Sequence, residues 1–143
     1  MIKEEILDDT GYMDEDWEIA GSGVTITQKD VRQIQLAKSA VCAGIMTMME
    51  HEEITAEEID RFILAGGFGN SINTKSAAAI GLFPAELEPK TTFSGNAALG
   101  GAYMLLVNPS LRAESEKFAE AAEEISLSSS PEFMEYYVDC MSF

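Results

Sequence analysis

Two glycine-rich segments restrict the folds open to this chain: Phe62-Ile-Leu-Ala-Gly-Gly-Phe-Gly-Asn70 and Phe93-Ser-Gly-Asn-Ala-Ala-Leu-Gly-Gly-Ala-Tyr103. In the first, an apolar run of strand length stops at Gly66-Gly67, where the backbone can turn sharply and approach a ligand with no Cβ in the way. The second puts Gly95, Asn96 and small residues where a helix would begin. Strand, glycine turn and small-residue helix together point to an α/β protein that binds a nucleotide, because backbone N–H groups left free at such turns suit anionic or polar ligand groups.

The size of the chain, 143 residues, allows one ordinary domain or one lobe of a larger protein. An apolar fraction of 46% fits a chain with a core rather than a disordered one. No apolar stretch approaches the roughly 20 residues that span a bilayer, and the acidic N-terminus lacks the layout of a signal peptide, so a cytoplasmic location is expected. Twenty-five acidic against nine basic side chains leave a net charge of -16, which argues against binding nucleic acid or an anionic membrane. That charge fits either a solvated surface or docking to a basic partner. Two cysteines, Cys42 and Cys140, are too few and too far apart for a metal or cluster site and read as reduced, packed thiols.

Along the chain, residues 1–23 form an acidic segment, part irregular and part edge strand. Val24 to Ile26 reads as a strand, Thr27 and Asp30 as a capping box, and residues 28–51 as one long helix with apolar positions Val31, Ile34, Val41, Ile45 and Met48. Ala37, Ala40, Ala43 and Gly44 form a small-residue strip on it. Thr55 and Glu58 repeat the capping pattern before a strand over 61–65. Asn73 caps a helix over 74–80, stopped by Gly81 and Pro84. Thr91 to Ser94 is a strand and 95–107 a helix ended by Asn108-Pro109. Ser110 is expected to cap an acidic helix through Glu124, Ile125 to Leu127 to form a strand, and Ser130-Pro131 to open a last helix. Strands alternating with helices give an α/β fold, a short sheet flanked by helices; four short strands are few for a free-standing doubly wound sheet, which suggests an incomplete domain.

Each candidate site residue has a plain reading beside the functional one. Gly66, Gly67 and Gly69 fit a strand-to-helix connection as well as a ligand loop; the segment is neither a phosphate-binding loop nor a dinucleotide fingerprint. Asn70 fits a turn or a nucleotide contact, and Phe68 packing or base stacking. Gly95, Asn96, Gly100, Gly101 and Ala102 fit a helix start with a close helix contact. Paired glycines inside a helix cost about 1 kcal/mol each relative to Ala, so close approach of a facing backbone is expected there. Gln35 and Lys38 read either as solvated side chains or as groups flanking a base. The single histidine, His51, suits the C-terminal end of the long helix. No nucleophile with a nearby base and no metal-loop spacing emerges, so no catalytic residue is assigned.

Taken together, Ile26 to Gly44, Leu64-Ala-Gly-Gly-Phe-Gly-Asn70, Ile80-Gly-Leu-Phe-Pro84, Gly95-Asn-Ala-Ala-Leu-Gly-Gly-Ala102 and the closing Leu127 to Phe143 resemble the C-terminal domain of the reductive activators of corrinoid proteins. The resemblance covers about residues 24–143. It implies a lobe of an actin-like, ribonuclease H-like ATPase, in which Leu64 to Asn70 is the adenosine motif, Gly95 to Ala102 the second connecting motif at the hinge, and the helix bearing Gln28, Gln35 and Lys38 lies on the far side of the base. It further implies a parent protein that uses ATP with Mg2+ and a 2Fe-2S cluster to return a corrinoid protein of a methyltransferase system from Co(II) to Co(I).

The chain departs from that pattern in lacking the acidic phosphate-binding motifs and any four-cysteine cluster site. Phosphoryl transfer needs metal, in-line positioning and charge stabilisation together, so the chain alone is expected to hydrolyse nothing. It reads as a C-terminal fragment or split subunit. The alternatives are a noncatalytic acidic module that docks a partner or a second copy, and a sugar- or acyl-kinase relative.

Overall fold

The computed structural model describes residues 6–69 and 71–143. Strands β1 (Trp17–Ile19) and β2 (Val24–Ile26) form an antiparallel hairpin that leads into α1 (Gln28–His51). The start of α1 is fixed by the expected capping box: Thr27 N–H donates to Asp30 Oδ2 at 2.9 Å while Asp30 N–H returns to Thr27 Oγ1 at 3.3 Å. A short 3-10 turn, Ala56–Glu58, opened by the matching Thr55/Glu58 box, precedes β3 (Phe62–Ala65). Then come α2 (Gly66–Gly69), α3 (Thr74–Ala79, capped by Asn73) and a 3-10 stretch Ala85–Lys90 that delivers β4 (Thr91–Gly95) parallel to β3. The chain continues through α4 (Ala97–Val107), α5 (Arg112–Ala121) and α6 (Pro131–Asp139).

Four strands are thus present among the described residues, in two separate two-stranded sheets. Parallel strands need a crossover, and α2, α3 and the 3-10 stretch supply it. The crossover brings Ala77, Phe83 and Leu87 into the larger core, where they are buried with Ala56 from the turn before β3, and Ile45, Met49 and Phe62 pack against them. The Phe62 and Phe83 rings meet tilted at 54°, centroids 5.1 Å apart, a favourable aromatic pairing. A smaller core gathers Leu7, Met13 and Val31 beneath Trp17, Ile26 and Phe143.

The inner face of α1 is unusual in its polarity. Val31, Cys42 and Ala43 are buried there, but so are Gln35, Lys38, Ser39 and Thr47, whereas Ile34, Val41 and Met48 are exposed. The polar side chains are spent on main chain. Lys38 Nζ donates to the carbonyls of Cys140 and Ser142, Gln35 Nε2 to Thr10 O (2.8 Å) and Met141 O (2.9 Å), and Ser39 Oγ to Cys140 O (3.0 Å). Lys38 also sits 4.9 Å from the centroid of the Phe143 ring, and Phe143 N–H donates to Asp9 O. Nearly three turns before Lys38, Gln28 clamps the N-terminal loop, accepting from Met13 N–H and donating to Gly11 O, both at 2.7 Å. Gly11 lies so close that a Cβ there would stand 2.6 Å from Gln35 Nε2, and its φ of +77° excludes most other residues as well. Both ends of the described chain are therefore pinned to one helix. A Cβ built on Gly44, in the small-residue strip, would stand 3.6 Å from Leu127 Cδ1, an ordinary contact.

Two local expectations are corrected. Ser110 does not cap α5: its hydroxyl donates to Asn108 Oδ1 at 2.6 Å, drawing Pro109–Leu111 into a 3-10 turn, and α5 begins only at Arg112 and ends at Ala121. Ile125 to Leu127 is not a strand. Among the described residues no strand pairs with it, and Leu127–Ser129 closes into a 3-10 turn with Ser129 Oγ donating to Ser126 O.

Burial pushes the Cys42 thiol up to about 12, with the neighbouring Cys140 adding to the rise. In the native protein iodoacetamide at pH 8 should therefore label the half-buried Cys140 well before Cys42, the difference vanishing in denaturant. Lys38→Met keeps the length of the stem but leaves the Ser142 carbonyl without its donor. We expect it to cost about 2 kcal/mol in urea denaturation and to speed amide exchange at Phe143.

Candidate nucleotide site

Parallel pairing sets the geometry of the site. β3 and β4 run in register from Phe62 opposite Thr91 to Leu64 opposite Phe93, and a one-residue irregularity then brings Ala65 opposite Gly95. The two glycine segments, some twenty-five residues apart in sequence, thus leave the same carboxyl end of adjacent parallel strands. Ligands of open α/β sheets bind in this position, because the loops and helix N-termini that follow the strands converge there.

On the β3 side, Gly66 adopts φ +89°, a left-handed conformation that L-residues rarely take, and starts α2 at once. On the β4 side, Gly95 hands over to Asn96, whose Oδ1 accepts from Leu99 N–H at 3.0 Å and caps α4. Among the described residues, and apart from each glycine's chain neighbours and its own helix backbone, no atom lies within 4 Å of a Cβ built on Gly66, Gly67, Gly95, Gly100 or Gly101. Their small size makes room for something outside this chain. The close backbone contact expected at Gly100-Gly101 is therefore not supplied from within, and Ala102, like the rest of α4, is exposed. Neither segment carries a charged side chain, so what this surface offers a ligand is backbone and small apolar groups. Asn70, and the side-chain surroundings of Phe68 and Gly69, lie outside the described residues.

Gln35 and Lys38 are placed differently from either sequence expectation. Neither is solvated: they are 2% and 1% exposed, and their polar atoms hold the C-terminal carbonyls. Burial lowers the pKa of the Lys38 ammonium from its ordinary value, with nearby Cys140 and Cys42 opposing the shift. The two side chains build the clasp rather than a ligand wall. Ser39, which shares that task, carried no signal in the sequence beyond its place one residue after Lys38. His51, the last residue of α1, faces Glu123 at 3.9 Å on the surface.

Comparison with known proteins bears directly on this arrangement. Residues 3–143 match the family described as the C-terminal domain of RACo, the ASKHA domain. The chain belongs to this family. Among its relatives, the corrinoid activation enzyme RamQ of Eubacterium limosum is 33% identical over 118 residues, covering 82% of this chain and 20% of RamQ. The Co(II) methylated amine-specific corrinoid protein reductase of Methanosarcina barkeri is 26% identical over 127 residues, covering 87% of this chain and 23% of that protein. The solved structure of a reductive activator for corrinoid, iron-sulfur protein superposes with a TM-score of 0.82 at 30% identity, over 98% of this chain and 26% of that one. This ASKHA-domain chain thus spans about a fifth to a quarter of the length of the relatives it matches. The α/β fold and the family resemblance read from the sequence are both borne out. No helix among the described residues is long and apolar enough to cross a membrane.

The two central glycines should respond differently to substitution. Gly66→Ala, forced into a left-handed backbone, should cost about 1 kcal/mol in urea denaturation. Gly67→Ala, with open space around its Cβ, should stay within about 0.5 kcal/mol of the parent.

Proposed function

We propose that this chain is the adenine-nucleotide-binding part of an ATP-dependent activator that returns Co(II) corrinoid proteins to Co(I). One observation carries the reading: the segments Leu64 to Asn70 and Gly95 to Ala102 leave neighbouring strands at the same sheet end, with unobstructed backbone at Gly66, Gly67 and Gly95. The names of the relatives, all activators or reductases of corrinoid proteins, support a corrinoid protein as the partner.

The residues present fit the nucleoside side of such a site. Gly66, Gly67, Gly69 and Asn70 would let the nucleotide lie against main chain, and the α4 N-terminus, with Ala97 and Ala98 beyond the Asn96 cap, offers N–H groups with a favourable dipole. Gly95 and Gly100 to Ala102 would form the joint on which the facing lobe turns. The residues present do not fit Mg2+ or an iron–sulfur cluster: among the described residues no three His, Cys, Asp or Glu side chains gather to hold a metal, and the sequence has two cysteines. Metal, cluster and phosphate-side groups belong, on this reading, to the larger part of the activator.

Calorimetric titration of Mg-ATP into the protein, with and without Gly67→Val, tests the site. A valine side chain would fill the space a nucleotide needs, and its Cβ would meet no atom of the described residues outside its own neighbours and helix backbone. We expect the affinity to fall at least about tenfold with the circular dichroism unchanged. Equal affinities would remove the first glycine segment from the site.

A further inference from the structure

Two thiols far apart in the sequence meet where the C-terminal tail is clasped to α1. Cys140 caps the C-terminal end of α6, and its carbonyl accepts from Ser39 Oγ at 3.0 Å and from Lys38 Nζ. Cys42 stands about one turn beyond those two donors on the same buried face of α1. The carbonyl contacts thus seat Cys140 beside Cys42, and the two thiols interact directly, both within the field of the Lys38 ammonium. They differ in access: Cys42 is 7% exposed, whereas Cys140 is half-buried. Both are free thiols. An oxidised sulfur on the outer cysteine would therefore be met at once by the inner one.

We propose that Cys42 and Cys140 are a dithiol–disulfide pair that locks the C-terminal clasp covalently when the surrounding thiol pool is oxidised. The oxidant is a small-molecule disulfide. Cys140, once its thiol has given up a proton, attacks one sulfur of that molecule; the small S–S bond breaks and one small thiol leaves with the proton. Cys42 then gives up its own proton, attacks the Cys140 sulfur of the mixed disulfide and expels the second small thiol, which takes that proton. Two electrons pass from the protein to the small disulfide, and excess small thiol runs the exchange backwards. Burial holds the Cys42 proton firmly, which makes its attack the slow step, while the Lys38 ammonium favours the thiolate. The effect follows from the position of the bond. Without it the tail is held to α1 by hydrogen bonds from Gln35, Lys38 and Ser39, and a chain end held in this way frays. With it, α6 and α1 are joined across a loop of about 100 residues, long enough for a crosslink to restrict the unfolded chain strongly. Phe143 carries the restraint on to Asp9, whose carbonyl accepts from Phe143 N–H at 2.8 Å. The inference stands apart from the nucleotide reading and uses none of its residues.

The test equilibrates the protein with oxidised and reduced glutathione at varied ratio, quenches with acid, and reads the products by intact mass and by mapping of non-reduced tryptic peptides. We expect the loss of two hydrogens, with the peptides of Cys42 and Cys140 joined within one chain, and reversal by excess reduced glutathione. The oxidised form should exchange the Phe143 amide at least about tenfold more slowly than the reduced form and unfold in urea about 1 M later. Cys42→Ala, with its circular dichroism unchanged, should stop at a single glutathionyl group on Cys140. Cys140→Ser, at the half-buried position, should form no internal disulfide and show no shift in urea. A parent protein that keeps a glutathionyl group on Cys140, or joins two chains through it, overturns the proposal. So does an internal disulfide that leaves Phe143 exchange and the urea midpoint where they were.

Discussion

The pairing of β3 with β4 is the constraint on which the rest of the molecule depends. Parallel strands cannot be joined by a tight turn, so the chain between Ala65 and Thr91 must cross over, and it does so through α2, α3 and the Ala85–Lys90 stretch. That crossover supplies Ala77, Phe83 and Leu87, which become the main core once Phe62 and Ala56 close over them. The same pairing brings Gly66 and Gly95 to one end of the sheet. Core and candidate site are thus two consequences of one register. A two-stranded parallel sheet is nevertheless a small unit, with two faces and two edges, and α4 and Ile63 stay exposed beside it.

The long helix α1 organises the other side of the molecule by an uncommon route. Its buried face carries an ammonium, one carboxamide, two hydroxyl groups and only a few apolar side chains, an arrangement that would be costly if any polar atom lacked a partner. None does among the described residues. Lys38, Gln35 and Ser39 converge on the carbonyls of Cys140, Met141 and Ser142, groups left over where α6 stops and regular hydrogen bonding ends. The helix thus acts as the hydrogen-bonding partner of a chain end. Because the tail also reaches Asp9, closing the clasp fixes the loop around Asp8, whose carboxylate accepts from the N–H groups of Thr10 and Tyr12 and is held below its ordinary value chiefly by the Tyr12 bond.

Local structure was largely legible in the residues because its causes are local. Thr27 with Asp30, Thr55 with Glu58, Asn73, Asn96 and Ser130 each start a helix or turn where their side chains can reach backbone N–H groups two or three residues on, and such geometry needs nothing distant. The same rule failed at Ser110, where Asn108, two residues earlier, competed for the hydroxyl. It failed again at Ile125 to Leu127, since β composition becomes a strand only when a neighbour offers its edge. Gln35 and Lys38 were misplaced for a third reason. A polar residue within a helix gives no sign of whether water or a distant carbonyl will satisfy it.

What the sequence by itself determined is most of the helices and strands and of their caps, the α/β class and the two glycine breaks, all of which follow from short-range sterics and hydrogen bonding along the chain. The tertiary structure alone decided that the glycine breaks stand side by side, that the polar face of α1 is the buried one, and that α4 faces outward uncovered. Those outcomes depend on which surfaces meet across a hundred residues, as Lys38 meets Cys140 and Ser142, and spacing along the chain does not encode such meetings.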